Sequence, residues 1–230
     1  MAVEKHINFF EFQKAAEKPG CPLCRIVSDR AEMYIDNLLF EHVSDVPFRR
    51  LHRAAGGFCS FHSRNLISFR DGLAVAILSK DLLLDRIASF ETKKPLSFKS
   101  RCPICIERDR IEDEYLGFLA KSHGDTEEVQ ELRRIFTASD GLCAPHYSAL
   151  LFNHGKKSNP TEGLKMKSKA RTIPKWLMDF HDSRYKDLLT RINNFIELSA
   201  YGRQGEFAAL SEKDQLVWKE AAAALRGSAD

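Results

Sequence analysis

Apolar residues recur at spacings of three and four along most of the chain. Leu23, Val27, Ala31, Tyr34 and Leu38 line one side of the segment after Pro22, which predicts a helix with one buried face. Between Gly72 and Phe90 the residues Leu73, Ile77, Leu84 and Ile87 keep the same spacing. There Leu82-Leu83-Leu84 widens the stripe until nearly every side is apolar, the pattern of a core helix. Ile104, Ile111, Tyr115, Phe118 and Leu119 predict another helix, and Val129, Leu132 and Phe136 a further one before Gly141. Ile173-Pro174 opens a long helix faced by Leu177, Phe180, Leu188, Ile192, Phe195 and Leu198, ending near Gly202. Ser211 with Asp214 resembles a helix start, and Leu216, Val217, Ala221 and Leu225 make a last short helix that stops at Gly227. No stretch alternates with the period of a strand, so the expected fold class is all-α.

Where these helices begin, four short phrases hold all six cysteines of the protein. Cys21-Pro22-Leu23-Cys24 and Gly57-Phe58-Cys59-Ser60-Phe61-His62 come first; Cys102-Pro103-Ile104-Cys105 and Gly141-Leu142-Cys143-Ala144-Pro145-His146 repeat them. At one constant offset Cys21, Cys24, Tyr34, Leu38 and His42 fall on Cys102, Cys105, Tyr115, Leu119 and His123, which reads as a duplicated helical unit. Lys186-Asp187-Leu188-Leu189 likewise echoes Lys80-Asp81-Leu82-Leu83. The organisation expected is a lead-in over residues 1–20 with Phe9, Phe10 and Phe12 available to pack, and then a first metal-binding repeat over 21–95. A second repeat over 96–202 carries a basic insertion at about 155–172, and a C-terminal helix occupies 203–230.

Two thiols separated by two residues can point at one ion from a tight turn, and a Cys and a His three apart on a helical turn share a face. Together they offer three sulfurs and one nitrogen, a tetrahedral set suited to zinc. The eight candidate ligands are Cys21, Cys24, Cys59 and His62 in one quartet and Cys102, Cys105, Cys143 and His146 in the other, two zinc ions per chain. Pairing within each repeat is the default because the loops are short and the copies alike, while spacing does not exclude an exchanged pairing of Cys21 and Cys24 with Cys143 and His146. Four protein ligands leave no open position for water or substrate, so the sites read as structural, the chain as non-enzymatic, and its role as an interaction or regulatory scaffold with a protein partner.

Two other chemistries share these spacings. Cys-Pro-x-Cys occurs in dithiol redox enzymes, although the strand context of those folds is missing here. An iron–sulfur cluster on three cysteines and a histidine is chemically allowed. His42 and His123 share their offset from the knuckles, but eighteen helical residues at about 1.5 Å each carry them too far to serve the same ion. They read as helix-end or packing histidines, and His6, His52, His154 and His181, without duplicated partners, as surface or core residues.

Lys plus Arg number 35 against 32 Asp plus Glu, and a net charge of +3 is too small to argue for nucleic acid or membrane binding by itself. The local cluster is Lys156, Lys157, Lys165, Lys167, Lys169, Arg171 and Lys175 around the single acid Glu162, a stretch that could contact phosphates and makes a nucleic-acid-binding zinc protein a further alternative, although it lacks interleaved aromatics before Trp176. No apolar run approaches a membrane span and no signal-peptide core follows the N-terminus, so a cytoplasmic protein with reduced thiols is expected.

The order Cys-Pro-x-Cys, helix, Gly-Phe-Cys-x-x-His, a second such unit and a long C-terminal helix resembles a family of uncharacterised prokaryotic proteins, a domain of unknown function defined by that duplication. The resemblance runs from about Cys21 to about Gly202, with Gly141-Leu142-Cys143 a conservative departure from Gly-Phe-Cys. It implies a metal-binding helical protein and brings no activity with it.

Overall fold

The structure is a computed structural model, and it describes residues 7–152, 172–200 and 202–227. Among these there are only helices: α1 (Ile7–Ala16), α2 (Pro22–Asn37), α3 (Val46–Ala54), α4 (Ser60–Ser68), α5 (Gly72–Thr92), α6 (Pro103–Ala120), α7 (Glu127–Ala138), α8 (Ala144–Phe152), α9 (Lys175–Leu198), α10 (Gln204–Ala208), α11 (Glu212–Gln215) and α12 (Val217–Arg226). A π-helical turn, Leu38–His42, extends α2. The all-α class is therefore the observed one.

The described chain forms two compact units. One takes the residues up to Ile26 and from Glu114 onward; the other takes Val27–Asp113. The chain passes from one to the other within α2 and again within α6, so segments 21–95 and 96–202 each contribute to both.

In the first of these units α1 packs on α7, and α9 packs on α7 and α12. Phe12 stacks on Phe136 with centroids 5.0 Å apart, and Trp176 and Phe180 meet Phe136 edge-on. The lead-in is thus part of a core: Phe9 and Phe12 are fully buried while Phe10 faces out. Thr126 starts α7 by accepting a hydrogen bond from the Val129 N–H, which satisfies one of the free donors of a helix start. Buried Tyr115 on α6 donates its hydroxyl to Glu11. Arg184 on α9 reaches Asp140 and Glu220 at 3.0 Å each, and Arg191 reaches Asp214 at 2.7 Å and Glu220 at 2.8 Å, fastening α11 and α12 to α9.

In the second unit Ala31, Ile35, Leu38, Phe48, Leu66, Leu78 and Ile104 share one core. Helix α3 lies on α5, where the Arg49 guanidinium donates to both carboxylate oxygens of Asp81 at 2.7 and 2.6 Å and Arg53 makes the same fork with Asp85. Helix α5 departs from the core helix its composition predicts. It buries only Ala74, Leu78 and Asp81: among the described residues α3, α4 and the π-helical turn lie against one side of it, and its other side is bare.

The basic stretch from Lys156 to Arg171 lies outside the described residues; Lys175, at the start of α9, pairs with Asp179 one turn on at 3.3 Å. Among the described residues no helix is long and apolar enough to cross a membrane.

Phe136 is the residue on which α1, α7 and α9 meet. Phe136→Ala is expected to lower unfolding free energy by about 3–5 kcal/mol, the range for a fully buried aromatic cut to a methyl group, as read from urea denaturation followed by circular dichroism.

Candidate metal centres

The first cysteine of each phrase is the residue just before a helix. Cys21, Cys59, Cys102 and Cys143 each accept the first turn's hydrogen bond, from the N–H of Arg25, Ser63, Ile106 and Tyr147. Proline follows at the first helical position in α2 and α6, where its missing N–H costs nothing and its fixed φ suits the helix. A cysteine there sits on the positive end of the helix dipole, which favours the thiolate, and the next ligand, three residues on, lies over the same turn.

These helix starts meet in pairs. Cys21 and Cys24 of α2 come together with Cys143 and His146 of α8, and Cys59 and His62 of α4 with Cys102 and Cys105 of α6; in each group the donor atoms all lie within 4.8 Å of one another. All eight candidates are brought together, but the default pairing within each repeat is wrong: the N-terminal knuckle joins the C-terminal Cys-x-x-His. Length explains this. The sixteen residues of α2 carry the chain about 24 Å from its knuckle, and the nine of α3 bring it back by only about 14 Å. Cys59 is grouped with Cys102 and Cys105 instead. His42 and His123 join neither group, and both are exposed.

In the first group Cys24 Sγ is 3.7 Å from Cys143 Sγ, and His146 Nδ1 is 3.4, 3.4 and 3.2 Å from the sulfurs of Cys21, Cys24 and Cys143. In the second Cys59 Sγ is 3.8 Å from Cys105 Sγ, and His62 Nδ1 is 3.3, 3.4 and 3.4 Å from Cys59, Cys102 and Cys105. A disulfide would need about 2.05 Å, and all six cysteines are free. Sulfurs held at about 2.3 Å from one tetrahedral centre are separated by about 3.8 Å, and sulfur from nitrogen by about 3.5 Å. The observed edges are close to those of such a tetrahedron, so each group could hold a metal ion.

The thiols shift in opposite directions: hydrogen bonds with Cys143 and Cys21 hold Cys24 well below its ordinary range, and Cys59 is lowered, against its burial, by hydrogen bonds with the His62 backbone and Cys105. Burial raises the Cys21 thiol well above its ordinary range, with Cys143 and Cys24 adding to the effect. Burial and the charge of Cys102 push Cys105 up to about 12. Burial alone would lower His146, yet its hydrogen bonds to the Cys143 and Cys24 sulfurs hold it protonated up to about 10, a proton standing where positive charge is wanted. His62 moves the other way, lowered by burial and by Arg108. A divalent ion held by the three sulfurs of a group would stabilise all of them as thiolates.

Behind each Cys-x-x-His lies a buried histidine whose role the sequence did not reveal. His181 of α9 accepts a hydrogen bond from the Leu142 N–H at Nε2, 3.0 Å, donates from Nδ1 to the Leu177 carbonyl at 2.9 Å, and stacks on Tyr147 with centroids 4.1 Å apart. In the other unit His52 of α3 packs against Phe58, centroids 4.6 Å apart. Gly141 and Gly57 precede these cysteines at φ +63° and +98°, and a Cβ would come within 2.5 Å of Phe180 and 2.7 Å of Leu82. Both glycines were legible as part of the phrase; His52 and His181 were not, because they arrive from different helices at unrelated offsets. The last helix also closes on the first group, with a Cβ at Gly227 meeting Cys24 Sγ at 2.9 Å.

No family model matches the chain, and no solved structure matches it. A curated relative, an uncharacterised 23.9 kDa protein in the xynA 3′ region of Caldicellulosiruptor sp. (strain Rt8B.4), is 33% identical over 100 residues, which cover 41% of this chain and 49% of the relative. The chain thus spans about half the length of the curated relative it matches.

His181 yields a prediction with a defined sign. Burial, with a smaller contribution from Arg184, brings its pKa down to about 4, the Leu177 carbonyl opposing. The unfolded imidazole takes up its proton near 6.5, so between about 6.5 and 4 the unfolded state binds more protons and stability falls as the pH falls. The loss should approach about 3 kcal/mol, at about 1.36 kcal/mol for each pH unit. His181→Gln, which keeps an acceptor for Leu142, should flatten that part of the stability–pH curve in urea titrations; equal slopes would show that His181 is not the group responsible.

Proposed function

We propose that the protein is a helical scaffold built around two structural zinc ions, one held by Cys21, Cys24, Cys143 and His146 and the other by Cys59, His62, Cys102 and Cys105. The observation that carries this reading is the near-tetrahedral spacing of three sulfurs and one imidazole nitrogen in both groups. Zinc suits the donor set because it accepts thiolate and imidazole together and needs four ligands in a closed structural site. The ion supplies a cross-link between two helix starts; the residues around it do the rest. The prolines set the knuckles, the glycines admit Phe180 and Leu82, and His181 fixes the peptide before Cys143.

A multi-iron cluster fits these distances poorly, since its ligand sulfurs are spread around several metal atoms, whereas here all four donors surround one point. A dithiol catalyst needs an accessible attacking thiolate, and the leading cysteines of both knuckles, Cys21 at 4% and Cys102 at 8% exposure, are buried. With every ligand position filled by protein, the reading is non-enzymatic, an interaction or regulatory role with a protein partner in the cytoplasm.

Elemental analysis of the purified chain should give two zinc ions. Cys143→Ser should release one equivalent and leave Cys21 and Cys24 freely reactive toward a thiol reagent, with Cys59, Cys102 and Cys105 still protected. Reactivity appearing at Cys102 and Cys105 instead would reject the exchanged pairing, and a zinc content well below one would reject the scaffold reading altogether.

A further inference from the structure

The bare side of α5 has a regular spacing. Leu73, Ala76, Lys80, Leu83, Ile87 and Phe90 follow one another at intervals of 3, 4, 3, 4 and 3, the a and d seam of a left-handed coiled coil. These positions are exposed: Leu73 by 74%, Leu83 by 61%, Ile87 by 50% and Phe90 by 74%. The other long helix, α9, exposes Asp179, Asp182, Lys186, Asp187, Asn193 and Glu197 interspersed with Met178, Leu189 and Ile196, so its outer side is mixed where that of α5 is mostly apolar.

We propose that α5 is the contact surface of a homodimer, in which the α5 helices of two copies pair antiparallel about a twofold axis. The seam is self-complementary in that sense. Its six positions are symmetric about the point between Lys80 and Leu83, so the twofold sets Leu73 against Phe90 of the second copy, Ala76 against Ile87, and Lys80 against Leu83, each an a position facing a d position. The small Ala76 thus receives the branched Ile87. Flanking the seam, Ile77 meets Leu84, and Leu84 is itself exposed.

Charge selects the same arrangement. Arg70 and the N-cap Asp71 lie at the start of α5, Glu91 and the C-cap Lys93 at its end. Antiparallel pairing brings Arg70 to Glu91 and Asp71 to Lys93 at both ends of the interface. Parallel pairing in register would set Lys80 on Lys80, and a charged a position disfavours its own image. A second copy thus satisfies the surface without any other partner being invoked.

The area fixes the strength. The exposed apolar side chains amount to on the order of 500 Å² per copy, at the upper end of what monomers leave bare. That is below the roughly 800 Å² per partner of a standard interface, so the dimer is reversible and dissociates on dilution.

Sedimentation equilibrium on the full zinc-loaded chain over a wide concentration range is the test. The expected result is a shift from 26.2 kDa to twice that mass, with Leu83→Asp raising the dimer dissociation constant at least tenfold while helix content and zinc content stay unchanged. Leu189→Asp, on the exposed side of α9, should leave the mass distribution as it is. Arg70→Glu should weaken the dimer and Glu91→Arg added to it should restore the association, a readout independent of any effect of Leu83→Asp on folding. A monomer at every concentration, a dimer indifferent to Leu83→Asp, or no restoration by the double charge exchange would overturn the proposal.

Discussion

Two helix N-termini held against each other at a set of thiols is the constraint on which this structure depends. A helix start carries unpaired N–H groups and partial positive charge, and two of them repel unless something negative lies between. Here the negative partners are the cysteines at the helix starts, whose groups could hold a cation that would complete the neutralisation. The arrangement occurs twice, once joining α2 to α8 and once joining α4 to α6. Because α2 and α6 each pass from one compact unit into the other, the ligands of each site are gathered from distant parts of the sequence but belong to a single unit.

Much of this was legible in the sequence. The three-and-four spacing of apolar residues located the helices, and the four phrases named every residue that the structure gathers. Val129, Leu132 and Phe136 are buried on α7 as their spacing predicts. The pairing was harder to read, since identical spacings serve either combination and the deciding quantity is the reach of α2 against that of α3. Local pattern does not encode that reach; it emerges once helix length is converted into distance.

Two further features escaped for related reasons. His181 and His52 pack behind the Cys-x-x-His turns from other helices at unrelated offsets, and a lone histidine on an apolar face looks the same whether it fills space or holds a backbone N–H. Their burial and the 3.0 Å bond to Leu142 distinguish the roles. Helix α5 misled in the opposite direction: an all-round apolar helix reads as core, yet among the described residues only the side facing α3, α4 and the π-helical turn is covered. An apolar pattern states that a surface prefers to be out of water and leaves open which molecule removes it.

The most direct test of the central claim is a proton–cadmium correlation spectrum of the protein with its sites filled by the NMR-active cadmium isotope. Two cadmium resonances are predicted, one coupled through bonds to side-chain protons of Cys21, Cys24, Cys143 and His146, the other to those of Cys59, His62, Cys102 and Cys105. A cadmium resonance coupled to Cys21 and Cys24 together with Cys59 would contradict the account.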